Sequence, residues 1–243
     1  MQLGQLSERM RRVHVALTWL LSLSWFAVWV DVLSLESTQN LFEIRTTYNS
    51  GTLPYGADSD VLAVSPIECV VIAVIQNRQS KEVDFYRNWD QYKHGFGDLL
   101  GNFWLGNTHI HTLTETPCVL RVEVESLNGT FGFAEYSTFQ VSSEISGYKL
   151  SVNGYSGNIS DAMRKNNGQK FSTAGRDNDI LDNHNCAEQR RGPWWHRMCT
   201  HANLNGIYEY DSSNLKQSVF WRNFYGKDTL APMKKSRMML KKQ

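Results

Sequence analysis

Asp177, Asp179, Cys186 and Cys199 are residues whose types and spacing could do chemistry. All four fall in one stretch, "FSTAGRDNDILDNHNCAEQRRGPWWHRMC", Phe171 to Cys199. Two carboxylates one residue apart can converge on a hard cation while neighbouring carbonyls complete its oxygen shell. The stretch admits three readings: a metal loop stapled to a binding surface, a zinc or redox site, or a polar turn beside a core. An EF-hand counted from Asp177 fails, because Asp182 stands where that loop needs glycine. The chain carries no GxSxG, no HExxH or CxxC and no phosphate loop, which argues against catalysis.

The elements that must position this stretch can be read from the rest of the chain. Its 243 residues make one large domain plus extras, or two small ones, and no internal repeat, collagen tract or heptad is visible. A net charge of +1 gives no reason to invoke nucleic acid. Eight tryptophans argue for a large aromatic core with some half-exposed aromatic surface. Near the start, Arg9, Arg11 and Arg12 precede the apolar run Val13–Val30, which Asp31 ends. That is the pattern of a secretory signal over 1–34, with an uncleaved signal anchor as the alternative. Either places the domain in an oxidising, extracellular compartment, where cysteines pair. The sequons at Asn128 and Asn158 agree with that compartment and are expected glycosylation sites.

Residues 35–68 hold no sustained period and read as a spacer or a degenerate first subdomain. From Val70 the pattern sharpens. "VVIAVIQ" is a buried strand, "NWDQYKHGFG" a short helix ending at Gly95, and "NTHIHTLT" a second helix over His109–Leu113 capped by Thr108. "CVLRVEVES" alternates, with Leu120, Val122 and Val124 on one face and Arg121, Glu123 and Glu125 on the other. Asn128-Gly129 is a hairpin turn, after which "TFGFAEYSTFQV" returns; "GYKLSV" adds a third strand, and "MKKSRMMLKK" a closing strand with one wet face. The expected class is α+β: an antiparallel sheet with short helices. From Tyr155 to Gln217 the period fades into Gly, Asn, Asp and Trp, and an irregular segment of that length is usually functional or stapled.

"VDFYRNWDQYKHGFGDLLGNFWLGNTHIHTLT", Val83 to Thr114, resembles the signature of fibrinogen C-terminal-like domains, found in fibrinogen, ficolins, tachylectins, tenascins and angiopoietins. "YSGNISDA", "FSTAGRDND", "NCAEQ", "WW", "NLNG" and "MMLK" match in the same order, so the resemblance covers about Val70 to Lys241 and implies such a domain over 69–243. It implies a twisted antiparallel central sheet with a loop-rich lobe carrying the binding sites. It implies a Cys186–Cys199 disulfide, which makes zinc a poor reading, and a calcium ion at Asp177 and Asp179 with carbonyls of Leu181 and Asn183. It places His109 and His111 in a helix as packing or capping residues, and implies a cis Met198–Cys199 peptide. Cys69 and Cys118 are left to pair with each other or to stay free.

Departures from the family pattern bear on the ligand. The pocket His that follows the second cysteine of acetyl-binding members is replaced by Thr200, and the aromatic before the Trp pair by Arg190. The expected ligand surface comprises Arg190, Trp195, His196, Met198, Thr200, Leu215 and Lys216, with Trp194 and Trp195 chiefly core. Its added cations favour sulfated, sialylated or otherwise anionic partners over cationic peptides. The expected function is a secreted, non-enzymatic, lectin-like module of innate-immune type that binds glycans or acetylated or anionic groups on cells or microbes. The alternative is a protein-binding ligand or matrix module of the angiopoietin or tenascin kind, and either is compatible with an oligomer.

Overall fold

The computed structural model describes residues 72–242, together with the backbone of three earlier strands. The chain forms two compact units, Met1–Ala73 and Val74–Gln243. In the first, β1 (Arg12–Ala16), β2 (Trp29–Leu33) and β3 (Glu43–Thr47) make an antiparallel sheet in that order, with Val13 opposite Val32 and Asp31 opposite Arg45. The remainder of the predicted leader and spacer, and Cys69, lie outside the described residues. Among the described residues no helix is long and apolar enough to cross a membrane.

The second unit is α+β. After β4 (Ile72–Arg78) come α1 (Trp89–His94), β5 (Phe96–Gly97), β6 (Phe103–Trp104) and α2 (Asn107–Leu113). The long strands β7 (Cys118–Ser126), β8 (Phe131–Val141) and β9 (Leu150–Gly157) follow. A lobe holding α3 (Cys186–Gln189), β10 (Ala202–Asn203) and β11 (Phe220–Arg222) precedes β12 (Leu230–Lys241). The sheet order is β5-β6-β4-β12-β7-β8-β9, with β10 joined through β11 to β12. The closing strand therefore lies in the middle, between β4 and β7, and joins the two ends of the unit.

Period-two patterning accounts for β7, whose Leu120, Val122 and Val124 are buried while Arg121, Glu123 and Glu125 are not. The Asn128 side-chain oxygen accepts from the Thr130 N–H at 3.0 Å, and Gly129 takes φ 85°, a turn that suits glycine. In β12 the register slips between Met233 and Lys235. Lys234 and Lys235 both stay wet across the slip, and Ser236, Met238 and Leu240 return to the core.

The two short helices differ in how they start. Asn88 and Gln91 form a reciprocal capping box on α1, which ends at Gly95 as the sequence predicts. A Cβ at Gly95 would lie 2.4 Å from the Leu105 carbonyl oxygen, so no other residue fits there. The predicted cap of α2 is corrected. The helix begins at Asn107, Gly106 is its cap without a side-chain bond, and the Thr108 hydroxyl bonds the Tyr148 hydroxyl at 2.8 Å instead.

The core between α1, β6, β8 and the lobe is aromatic. Trp104 packs on Tyr92, Phe171, Trp194 and Trp195, with ring centroids 5.5–6.4 Å apart, and Phe139 of β8 reaches Trp195 at 6.3 Å. Such pairs contribute about 0.5–1.5 kcal/mol each beyond their burial.

Candidate functional site in the loop-rich lobe

The lobe is held by short polar side chains that bond backbone. Asp177 Oδ1 accepts from the Asp179 N–H at 3.1 Å. Asp179 Oδ1 accepts from the Leu181 N–H at 2.7 Å, and its Oδ2 from the Cys186 N–H at 2.8 Å. One carboxylate thus ties the acidic turn to the start of α3. Asn185 caps that helix with its Oδ1, while its amide donates to the Thr173 and Ala174 carbonyls at 3.0 and 2.9 Å. The Cys186–Cys199 disulfide, with Cα atoms 5.2 Å apart, then fastens α3 to the segment after the Trp pair. Cys118 is a free, buried thiol on β7.

Burial raises the Asp179 carboxyl above the ordinary aspartate value, and the adjacent Asp177 charge adds to the rise. Two crowded carboxylates of this kind are a donor set whose repulsion a hard cation relieves. Among the described residues, no three His, Cys, Asp or Glu side chains gather as a metal cluster. A cation at Asp177 and Asp179 would therefore draw on carbonyl oxygens as well. Of the two predicted carbonyl donors, Leu181 accepts from the His184 N–H at 3.4 Å, and Asn183 adopts the left-handed φ of 64° that bends this turn.

On the other side of α3, the Asn203 amide donates to the Arg190 carbonyl at 3.0 Å, to that of Gln217 at 3.2 Å and to that of Ser218 at 3.0 Å. It draws the Arg190 turn and the 215–218 segment together. Arg190 is half-buried, its Nε lacks a partner, and burial lowers its pKa. Arg191, at φ 45°, lays its guanidinium over Tyr86, 4.8 Å from the ring centre. Lys216 is exposed and Leu215 half-buried.

Several predicted ligand residues lie elsewhere in the lobe's architecture. Trp195 and His196 are fully buried and cannot touch a ligand directly. The Trp195 Nε1–H donates to the Tyr148 carbonyl at 2.8 Å, and His196 Nε2 bonds the Gly192 carbonyl at 2.8 Å. Burial, with the Arg190 charge adding to it, depresses the His196 pKa to about 4. The Thr200 hydroxyl accepts from Asn166 Nδ2 at 3.0 Å and donates to the Ala202 carbonyl at 2.7 Å, so it serves the fold. Met198 is 64% exposed. The implied cis peptide is corrected too: every described peptide bond is trans, Met198–Cys199 included. Sequence reasoning missed the asparagines that set the lobe, Asn166, Asn185 and Asn203. Their signal was their density in a segment without period.

The family of fibrinogen beta and gamma chains, C-terminal globular domain, matches residues 70–243. The chain belongs to this family. Its members are non-catalytic recognition and structural modules, and this fibrinogen-like chain is a ligand- or partner-binding module. It is 44% identical to human angiopoietin-related protein 7 over 63% of this chain and 45% of that protein. It is 38% identical to human ficolin-3 over 69% of this chain and 56% of that protein. The chain thus spans about half the length of such curated relatives. Among solved structures, the fibrinogen-like globe domain of human ANGPTL6 superposes with a TM-score of 0.67 at 33% identity, covering 73% of this chain and 81% of that one. The lamprey fibrin D-dimer, complexed with the peptide Gly-His-Arg-Pro-amide, matches with a TM-score of 0.64 at 29% identity, over 70% of this chain and 61% of that one.

Proposed function

We propose that this fibrinogen-like chain is an extracellular recognition module whose lobe takes anionic groups, sulfated or sialylated glycans above all. The supporting observation is the Asn203 amide, which donates to the Arg190 carbonyl and to that of Gln217, the residue after Lys216. The peptide bound in the lamprey fibrin structure carries an arginine. The cations Arg190, Arg191 and Lys216 would oppose that charge and favour the reverse. Calcium at Asp177 and Asp179 stiffens the neighbouring turn, with Leu181 and Asn183 as carbonyl donors. Segment 1–34 directs the chain out of the cell as a signal or anchor, 35–68 links it to the domain, and Asn128 and Asn158 carry glycans.

A second reading, a protein-binding ligand of the angiopoietin kind, has its own support. The Ile180 N–H donates to the Arg197 carbonyl at 3.0 Å, which sets Ile180, 51% exposed, close to the exposed Met198. Neighbouring exposed apolar side chains suit a protein partner.

Titration of the chain with heparin fragments and with N-acetylglucosamine, each at two salt concentrations, separates the readings. The anionic reading expects salt-sensitive heparin binding weakened by Arg190→Ala, since each charge-assisted contact is worth about 1.5–3 kcal/mol. N-acetylglucosamine binding that ignores salt and survives Arg190→Ala overturns it. Absence of any glycan binding favours the protein-facing alternative. Calcium is tested separately: an ion held only by the native state adds about 2.7 kcal/mol at one hundred times its dissociation constant. EDTA should lower the melting temperature, Asp177→Ala should abolish that response, and an unchanged melting curve removes the ion.

A further inference from the structure

A cleft of about 560 Å³ lies where the β8–β9 hairpin meets the end of α2, built from residues other than those of the lobe site. Sites for small ligands commonly occupy roughly 300–1,000 Å³. Alternation on the hairpin supplies part of its lining. Gln140 of β8 stands opposite Ser151 of β9, while the flanking Phe139, Val141, Leu150 and Val152 are buried. Lys149 and Asn153 continue the row, and Glu115 and His111 of the α2 end complete it. No Phe, Tyr or Trp ring lines the cleft.

Two observations narrow the occupant. Lys149 and Glu115 line the same cleft, yet neither makes an ion pair among the described residues, and the Ser151 hydroxyl has no side-chain partner. Opposite charges left apart, with a free hydroxyl between strands, suit a ligand offering one negative charge and several hydroxyls. A peptide adding as a further strand is disfavoured. The outward N–H groups of Leu150 and Val152 already donate to the Gln169 carbonyl at 2.9 Å and to Asn167 Oδ1 at 3.0 Å.

We propose that this cleft is a second ligand site, for the carboxylate-bearing end of a saccharide, with Lys149 meeting the carboxylate and Glu115 and Ser151 meeting hydroxyls, while the Gln140 amide, held on the Glu115 carbonyl at 3.0 Å, and Asn153, bonded by Asn167 at 3.0 Å, frame the cleft. A net charge near zero across the cleft selects a hydroxylated acid over a simple polyanion. This site is independent of the lobe, so its failure leaves the lobe reading standing, and failure of heparin binding at Arg190 leaves this one standing.

The test is a titration of the ¹⁵N-labelled full chain with N-acetylneuraminic acid, glucuronic acid and galactose, followed by amide resonances. Both acids should shift signals within 138–153 and 167–168, and galactose should bind at least tenfold more weakly. Lys149→Gln should weaken both acids about tenfold, the loss of one charge-assisted contact, while Lys81→Gln leaves them unchanged. The proposal is overturned if millimolar acid moves none of these signals, if the shifts fall at 190–216 instead, or if Lys149→Gln binds as the parent does.

Discussion

The sheet and the lobe of the Val74–Gln243 unit are built by different means. In the sheet, β12 pairs with β7 through an antiparallel register from Met233–Ser126 to Lys241–Val119, and one apolar face lies beneath. In the lobe, backbone groups are taken by Asp179, Asn185, Asn203 and Asn166, and one disulfide closes the loop. A ladder distributes its stability over many equivalent bonds. A side chain that bonds two or three carbonyls concentrates it, because removing that side chain takes a donor from all of them at once. Geometry in the lobe therefore depends on single polar residues, whereas the sheet tolerates changes on its wet face.

The largest expected effect tests whether the two regions unfold apart. Trp195 touches Phe139 of the sheet and Phe171 and Trp194 of the lobe, and it donates to the Tyr148 carbonyl. Trp195→Ala should cost about 3–5 kcal/mol by cavity formation. Urea unfolding should keep a single transition, shifted to lower denaturant, when far-ultraviolet dichroism and tryptophan fluorescence are followed together. Two separated transitions would show that the lobe is a cooperative unit of its own.

Removal of the lobe's covalent tie comes next. Cys186→Ala with Cys199→Ala opens a loop whose ends are 13 residues apart. The chain-entropy argument gives about 3 kcal/mol, read as a lower urea midpoint. Cys118→Ala, a change to a free thiol on the sheet, should leave the response to reductant unaltered.

This contrast also separates what could be read in advance from what could not. The sheet was legible because burial on one face imposes a period of two, as at Leu120, Val122 and Val124, and because Asn128-Gly129 names its own turn. The start of α2 was misplaced because Thr108 is a good cap by type, yet its hydroxyl is drawn to Tyr148, a tertiary partner invisible in local sequence. In the lobe, family resemblance supplied the Cys186–Cys199 pairing, which no period could. Burial of Trp195 agrees with its reading as chiefly core, against its place in the expected ligand surface, whereas burial of His196 was beyond both. Each carries a polar nitrogen that suits a ligand surface as well as a satisfied core, and only the partners, Tyr148 and Gly192, decide between them.

His196 sharpens the comparison through pH. Its folded pKa, about 4, lies below the ordinary 6.5, because burial disfavours the imidazolium. Such a group contributes fully above the unfolded pKa. Its contribution is lost as pH falls from about 6.5 towards 4, where the unfolded chain binds a proton that the folded chain refuses. The loss approaches about 3 kcal/mol at the lower end. Melting temperature should fall across that window, and His196→Gln, whose amide can still donate to the Gly192 carbonyl, should flatten the fall. A raised Asp179 pKa acts in the opposite sense in the metal-free chain. Its carboxylate form is the disfavoured one, so its destabilising contribution grows as pH rises through the folded value. Calcium should accordingly bind more weakly as pH falls through that same value, because protons and the ion compete for one carboxylate.

The smallest expected effect is a matched pair of polar truncations, one in each region. Asn203→Ala removes an amide that serves the Arg190, Gln217 and Ser218 carbonyls from a fully buried position. Ser156→Ala removes a hydroxyl from the exposed end of β9 and leaves the ladder opposite Glu135 intact. Loss of the amide should cost about 1–3 kcal/mol, since the Arg190 and Ser218 carbonyls lose this donor while that of Gln217 keeps the Ile207 N–H. Loss of the hydroxyl should stay within about 0.5 kcal/mol, as for other surface substitutions. Because Asn203 also holds Arg190 near Lys216, its loss should weaken heparin binding in proportion, while Ser156→Ala leaves that binding unchanged. Equal urea midpoints for the two variants would mean that the lobe spreads its stability as the sheet does. Unchanged heparin affinity in a destabilised Asn203→Ala would separate the lobe's architecture from its ligand surface.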